Sequence, residues 1–272
     1  MKTTLRTDGV AWVLLSALLC AGAVVVTAMS AADASALAWE SALGLREPWR
    51  LWTCAWVHWS TAHLLVNVLG GLVVAFVGWR ARLPLAASIA WFGAWPLTQV
   101  LVAALGGERL VAAMPSYGGL SGVLHAGVIV LGLSLTWPRA PAGMRRLVEP
   151  APAPADTGFN ATHSPPIEPS RITEGPWAMT EMGNSTAMPL SSLDQPPASD
   201  DAAPLPVSPE RWIGMAILAG TLLKVAFEAP WNLAPRPSAA LGIAVAPIAH
   251  AGGLAAGLLA WACVRLLSRW RG

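Results

Sequence analysis

Charge is what this chain has least of. Asp, Glu, Lys and Arg make up 12% of its 272 residues, against about 25% in soluble domains. With 55% hydrophobic residues, the composition is that of an integral membrane protein rather than a water-soluble domain. The net charge of +2 gives no reason to expect a nucleic-acid partner. Cysteine is also scarce. Cys20, Cys54 and Cys263 lie far apart and no Cys-X-X-Cys occurs, so a zinc ribbon and a redox pair are unsupported and the thiols read as packing groups. No His-Glu-X-X-His motif occurs and no acidic ligand lies near the histidines in sequence. No metal and no cofactor are therefore expected. Tyrosine appears once but tryptophan 15 times, and indole favours the membrane interface.

What the chain does have is long apolar runs. A span needs about 20 such residues. Val10 to Ser30 carries no charge; it follows Lys2 and Arg6 as a signal peptide would, but it is too long for a signal core. Further spans are expected over Thr61–Trp79, Leu83–Leu105, Gly118–Trp137, Trp212–Ala229 and Ala239–Leu267. Six helices follow. Residues 1–137 would hold the first four and 210–272 the last two. Between them, residues 138–209 are rich in Pro, Ala, Ser, Thr and Asp without apolar periodicity, and a disordered linker is expected there.

The positive-inside rule sets the orientation. With the N-terminus inside, the inner side collects Lys2, Arg6, Arg80, Arg82, Arg139, Arg145, Arg146, Arg211, Arg265, Arg269 and Arg271. The outer side has Arg46, Arg50, Arg109 and Arg236. The linker is then cytoplasmic, and Gly118 and Ala239 begin their spans at the outer side.

Polar groups inside spans are costly, so each invites a functional reading. They are His63 and Asn67, Gln99, Ser121 and His125, Lys224 and Glu228, and His250. Gln99 alone reads as an interhelical hydrogen-bonding group. Ser121 needs a base to become a nucleophile. His250 precedes Gly253 and Gly257, whose spacing puts them on one face and lets another helix come close. If that helix is the fourth, His250 meets Ser121 at matched depth. His125 is a rival base: it lies four residues after Ser121 on the same face, but one turn deeper. His63 and Asn67 share a face of the second span and suit an oxyanion as donors. The Ser121 backbone N–H at a helix start would add to them. Lys224 and Glu228 read equally as a self-neutralising structural pair or as a group that recognises a substrate's polar end.

These pieces resemble the rhomboid family of intramembrane serine proteases. "WRLWTCAWVHWSTAHLLVN", from Trp49 to Asn67, looks like the family's Trp-Arg motif (Trp49, Arg50) running into the histidine and asparagine of helix two. Gly119-Leu120-Ser121-Gly122 matches GxSG, and "HAGGLAAG", from His250 to Gly257, matches helix six. The resemblance implies an all-α, six-transmembrane-helix bundle and a Ser121–His250 dyad without an aspartate. It also implies an oxyanion hole at His63 and Asn67, and a membrane-anchored protein substrate that reaches the site from the bilayer. "GLSGVLHAG" and the Lys224–Glu228 pair look most like rhombosortases, bacterial rhomboids that act on C-terminal Gly-Gly anchors. That implies an inner-membrane enzyme whose site opens to the outer side. Oligomeric state is not legible. The soluble hydrolase elbow, GxSxG, is absent because Val123 stands where its second glycine would be. Two other classes remain: an inactive rhomboid-like protein that binds membrane proteins, and a small transporter using Lys224, Glu228 and the histidines as a polar path. The first would lack part of the dyad; the second would often show internal repeats, and none is visible.

Overall fold

The computed structural model describes residues 8–137 and 208–270. The expected linker therefore lies outside the described residues except for its last two, Ser208 and Pro209. These begin a helix instead: Ser208 caps it and Pro209 takes the first turn, where a missing N–H costs nothing.

The described chain is mostly helical. In order it forms α1 (Val10–Thr27), α2 (Ala31–Leu37), α3 (Arg50–Thr53), α4 (Thr61–Arg80), α5 (Leu85–Ala113), α6 (Ser121–Thr136), α7 (Pro209–Phe227) and α8 (Pro247–Trp270). Four of these, α1, α4, α5 and α8, are long and apolar enough to cross a membrane, as the spans of an integral membrane protein are. Helix α6 is apolar but has 16 residues. Helix α7 has 19 and carries Glu210, Arg211 and Lys224.

The chain is not wholly α. Strand β1 (Trp39–Glu40) pairs antiparallel with β2 (Ser116–Tyr117), and β3 (Arg236–Ser238) pairs with β4 (Ile243–Val245). The second pair occupies the expected start of the last span. Residues 239–246 are apolar, but Pro235, Pro237 and Pro247 bracket them and Gly242 turns the chain at φ 63. Proline removes ladder donors and cannot continue a helix backwards, so α8 begins at Pro247 rather than Ala239. The helix expected as the fourth span likewise begins at Ser121 rather than Gly118, because Gly119 holds φ 130. The third runs on to Ala113 through a break at Gly107 (φ 52). The fifth stops at Phe227, which leaves Glu228 as its cap and not a helix residue.

Tryptophan serves the core as well as the interface. Trp12, Trp39, Trp91 and Trp95 are wholly buried, while Trp79, Trp137, Trp212 and Trp270 are exposed near helix ends. Three indoles seat where a neighbouring helix has only glycine. A Cβ on Gly78 would stand 2.2 Å from the Trp12 ring, one on Gly127 2.5 Å from Trp91, and one on Gly22 2.3 Å from Trp56. Trp12 Nε1 donates to Val74 O at 2.8 Å and Trp91 Nε1 to Val123 O at 2.9 Å. Each such interhelical bond is worth about 0.6 kcal/mol in a bilayer. Tyr117, the single tyrosine, donates to Gln99 Oε1 at 2.5 Å, which gives the buried amide its partner.

The α6–α8 seam is closer still. A Cβ on Gly253 would lie 1.9 Å from Gly122 O, and one on Gly257 2.5 Å from Ala126 O. Here backbone lies directly on backbone. Helix α8 also packs closely against α5, where a Cβ on Gly252 would stand 2.6 Å from Val102.

Candidate functional site

The site forms where the first turns of α6 and α8 meet the end of α7. Ser121 is the first residue of α6. The residues before it are held by three constraints. Gly119 N–H donates to Cys54 O at 2.9 Å. A Cβ on Gly118 would meet Val57 at 2.8 Å, and one on Gly119 would meet the His63 ring at 2.7 Å. With φ at 130 besides, position 119 admits only glycine without strain. The first N–H groups of α6 have no partner within the helix, so this corner offers donors and the positive end of a helix dipole.

His250 lies in the first turn of α8 and is 5% exposed. Its Nε2 is 3.1 Å from Ser121 Oγ. Its Nδ1 is 2.6 Å from Glu228 Oε2. A carboxylate can only accept, so Nδ1 carries the proton and donates to Glu228. The Nε2 lone pair is then left facing the Ser121 hydroxyl. Glu228 Oε1 in turn accepts from Lys224 Nζ at 2.6 Å.

His125 stands in a different relation to the serine. Its ring stacks on that of His250, with centroids 4.2 Å apart and planes 17° from parallel. Its Nδ1 is 2.7 Å from Ser121 O, and Lys224 Nζ is 3.2 Å from its Nε2. The carbonyl fixes the proton on Nδ1, and the ammonium occupies the remaining lone pair. His125 has no free lone pair for the Ser121 hydroxyl, so the geometry separates the two histidines that sequence left as rivals.

On α4, Ser60 caps the helix by accepting from His63 N–H at 3.1 Å, and this sets where His63 and Asn67 emerge. Asn67 Nδ2 lies 3.0 Å from His58 Nε2, while His58 Nδ1 lies 3.1 Å from Trp56 O. Burial lowers the His58 pKa, and the neutral ring donates to the carbonyl and accepts from the amide. One Asn67 N–H is thus engaged and the other is left. His63 Nδ1 is buried and has no hydrogen-bond partner among the described residues, a state that calls for a reason in a packed protein. His63, Asn67, Ser121, His125, Lys224 and His250 all line one cavity of about 920 Å³. Its other walls are largely apolar, with Val66, Val73, Leu124 and Val128, and also include Glu228. The cavity lies between α4 and α7, which make little contact with each other while α6 packs against both.

Trp49 and Arg50 do not line this cavity. Trp49 is exposed. The Arg50 guanidinium is buried, paired with Glu47 and donating to Ala38 O, so it fastens the loop before α4. Cys54 adjoins the site through its carbonyl, but burial drives its thiol pKa well up, which leaves it inert as a nucleophile.

Sequence reasoning missed two relations. No motif or spacing in the sequence singles out His58, yet it holds Asn67. The sequence pairs Glu228 with Lys224 alone, yet Glu228 also holds His250. The only local hint was four-residue spacing, which predicts Lys224 as neighbour and says nothing of α8. No family model, no curated protein and no solved structure matches this chain.

Proposed function

We propose that this chain is an intramembrane serine endopeptidase of the rhomboid type, acting on the transmembrane anchors of other membrane proteins. The observation that carries the reading is the 3.1 Å approach of His250 Nε2 to Ser121 Oγ, on the wall of a cavity that is otherwise largely apolar. The six long helices are read as six spans. Helix α6, with 16 residues, reaches about 24 Å at 1.5 Å per residue, against about 30 Å of hydrocarbon. Ser121 at its start would then sit below the outer surface, where water from outside meets a substrate arriving from the lipid through the gap between α4 and α7.

The orientation rests on charge. Among the described residues, Arg80, Arg82, Arg211, Arg265 and Arg269 fall at the inner side and Arg46, Arg50, Arg109 and Arg236 at the outer. The remaining inner charges, Lys2, Arg6, Arg139, Arg145, Arg146 and Arg271, lie outside the described residues. In a bacterium the inner membrane is the expected location.

The chemistry is acyl transfer. Ser121 Oγ bonds to the scissile carbonyl carbon as its proton passes to His250 Nε2. The oxyanion forms against the first N–H groups of α6 and the side chains of His63 and Asn67. Collapse breaks the C–N bond, and the leaving amine takes the proton from His250. Water then attacks the acyl-serine with His250 again as base; the acyl C–Oγ bond breaks, Ser121 Oγ takes the proton back from His250, and the new carboxyl end leaves. No cofactor takes part in this sequence. The nearest subgroup reading is rhombosortase-like, with a C-terminal Gly-Gly anchor as substrate; it rests on "GLSGVLHAG" and the Lys224–Glu228 pair.

The test is cleavage of a membrane-anchored reporter. Wild type should cleave, and Ser121→Ala and His250→Ala should fall below detection. Full cleavage by Ser121→Ala overturns the reading. A reporter whose anchor glycines are replaced should be cut more slowly, and equal cutting removes the subgroup.

A further inference from the structure

We infer that Glu228 is a positioning residue for His250, so that the reaction runs on a Ser121–His250–Glu228 relay and not on a serine–histidine pair alone. The inference rests on the protease reading above and adds the group that sets the base.

Glu228 sits where local rules would not put a carboxylate. It caps the C-terminus of α7, the negative end of the helix dipole, where an acid is disfavoured. Lys224 precedes it by four residues, the weaker order for such a pair. The next residue, Ala229, is held at φ 46, a left-handed conformation that residues other than glycine seldom adopt. Pro230 follows. The chain thus turns sharply straight after Glu228. Features that break local preference together are expected at functional sites rather than structural ones. A lysine–glutamate pair that only neutralised itself would need none of them.

The contacts say what the placement achieves. Glu228 divides its two oxygens between Lys224 Nζ and His250 Nδ1, each at 2.6 Å. The second contact selects the tautomer in which Nε2 is free to accept from Ser121. As Nε2 takes the serine proton, the imidazolium lies against an anion already in place, so no group has to reorganise. Lys224 holds the other oxygen and also fills His125 Nε2, and His125 stacks under His250. Two neighbours therefore fix the ring: Glu228 at its edge and His125 on its face. Asn or Gln at 228 could still accept from Nδ1–H, but could equally offer its own N–H and admit the wrong tautomer.

The experiment uses full-length enzyme in detergent and the anchored reporter, with kcat and KM separated and melting temperatures read alongside. The variants are Glu228→Gln, Glu228→Asp, Ser121→Ala and His250→Ala. A fully buried acid in a serine protease contributes up to about 10⁴-fold in kcat. The Glu228 side chain is 26% exposed, so Glu228→Gln is expected to lower kcat by about 100-fold with KM within about twofold. Glu228→Asp, which keeps the charge, should retain more activity than Glu228→Gln. Loss in Ser121→Ala and His250→Ala together with wild-type kcat in Glu228→Gln overturns the inference and leaves the protease reading standing. A loss carried by KM alone also overturns it, since it assigns Glu228 to substrate binding. Activity surviving in Ser121→Ala removes the protease reading itself. If Glu228→Gln loses the fold, Glu228→Asp at wild-type melting temperature decides: a lowered kcat supports the relay and an unchanged kcat refutes it.

Discussion

Two seams of this bundle use glycine for opposite ends. Where α1 meets α4, Gly78 is a socket: the Trp12 ring fills it, and the indole N–H reaches Val74 O. Where α6 meets α8, Gly253 lies directly against the backbone carbonyl of Gly122. The first seam has a rotatable side chain between its backbones and can absorb a small change. The second has nothing between them, so the helix separation is set by backbone contact. That stiffness falls where His250 must hold 3.1 Å from Ser121. Adhesion and positioning are thus divided between the two seams.

The sharpest break of this comparison is Gly253→Ala against Gly78→Ala. The first must push α8 off α6, and a misplacement of about 1 Å can cost about 100-fold in rate. Reporter cleavage should fall by about that factor or more, with a stability loss of about 1–3 kcal/mol from overpacking. Gly78→Ala should lose stability in the same range while kcat stays within about twofold. Equal losses of kcat in both would erase the distinction. His63→Ala sharpens the site side next. Losing one oxyanion donor costs about 10²–10³ in kcat, and single-turnover cleavage should show it in protein that still folds, though at a lowered melting temperature because a buried ring is removed. The smallest effect is expected for Trp12→Phe, which loses one interhelical hydrogen bond worth about 0.6 kcal/mol. Its melting temperature should drop slightly and cleavage should not change.

The comparison also marks what could be read without coordinates. Long charge-free runs located the helices, because burying backbone in lipid leaves the chain little choice. Gly253 and Gly257 announced a close helix approach by spacing alone, and the orientation charges put Ser121 and His250 at one depth. The hairpin at 236–245 was hidden, since its apolar composition suits a span and only its bracketing prolines argue otherwise. Neither Glu228 beside His250 nor His58 beside Asn67 follows from any spacing. The first depends on a left-handed turn at Ala229 and the second on how the loop before α4 folds back. The preference for His250 over His125 was legible from depth and glycine spacing, but the Lys224 contact that fills the His125 lone pair, 99 residues away in sequence, was not.

The central claim is that Ser121 is a nucleophile activated by His250, and a covalent trap tests it most directly. The intact protein is treated with a fluorophosphonate and its peptides are mapped by mass spectrometry. The account predicts a single phosphonylated serine, Ser121, in the wild type, and little or no adduct when His250 is replaced by alanine. An unlabelled Ser121 in a folded wild-type protein that cleaves the reporter, or labelling that persists undiminished in His250→Ala, would contradict it.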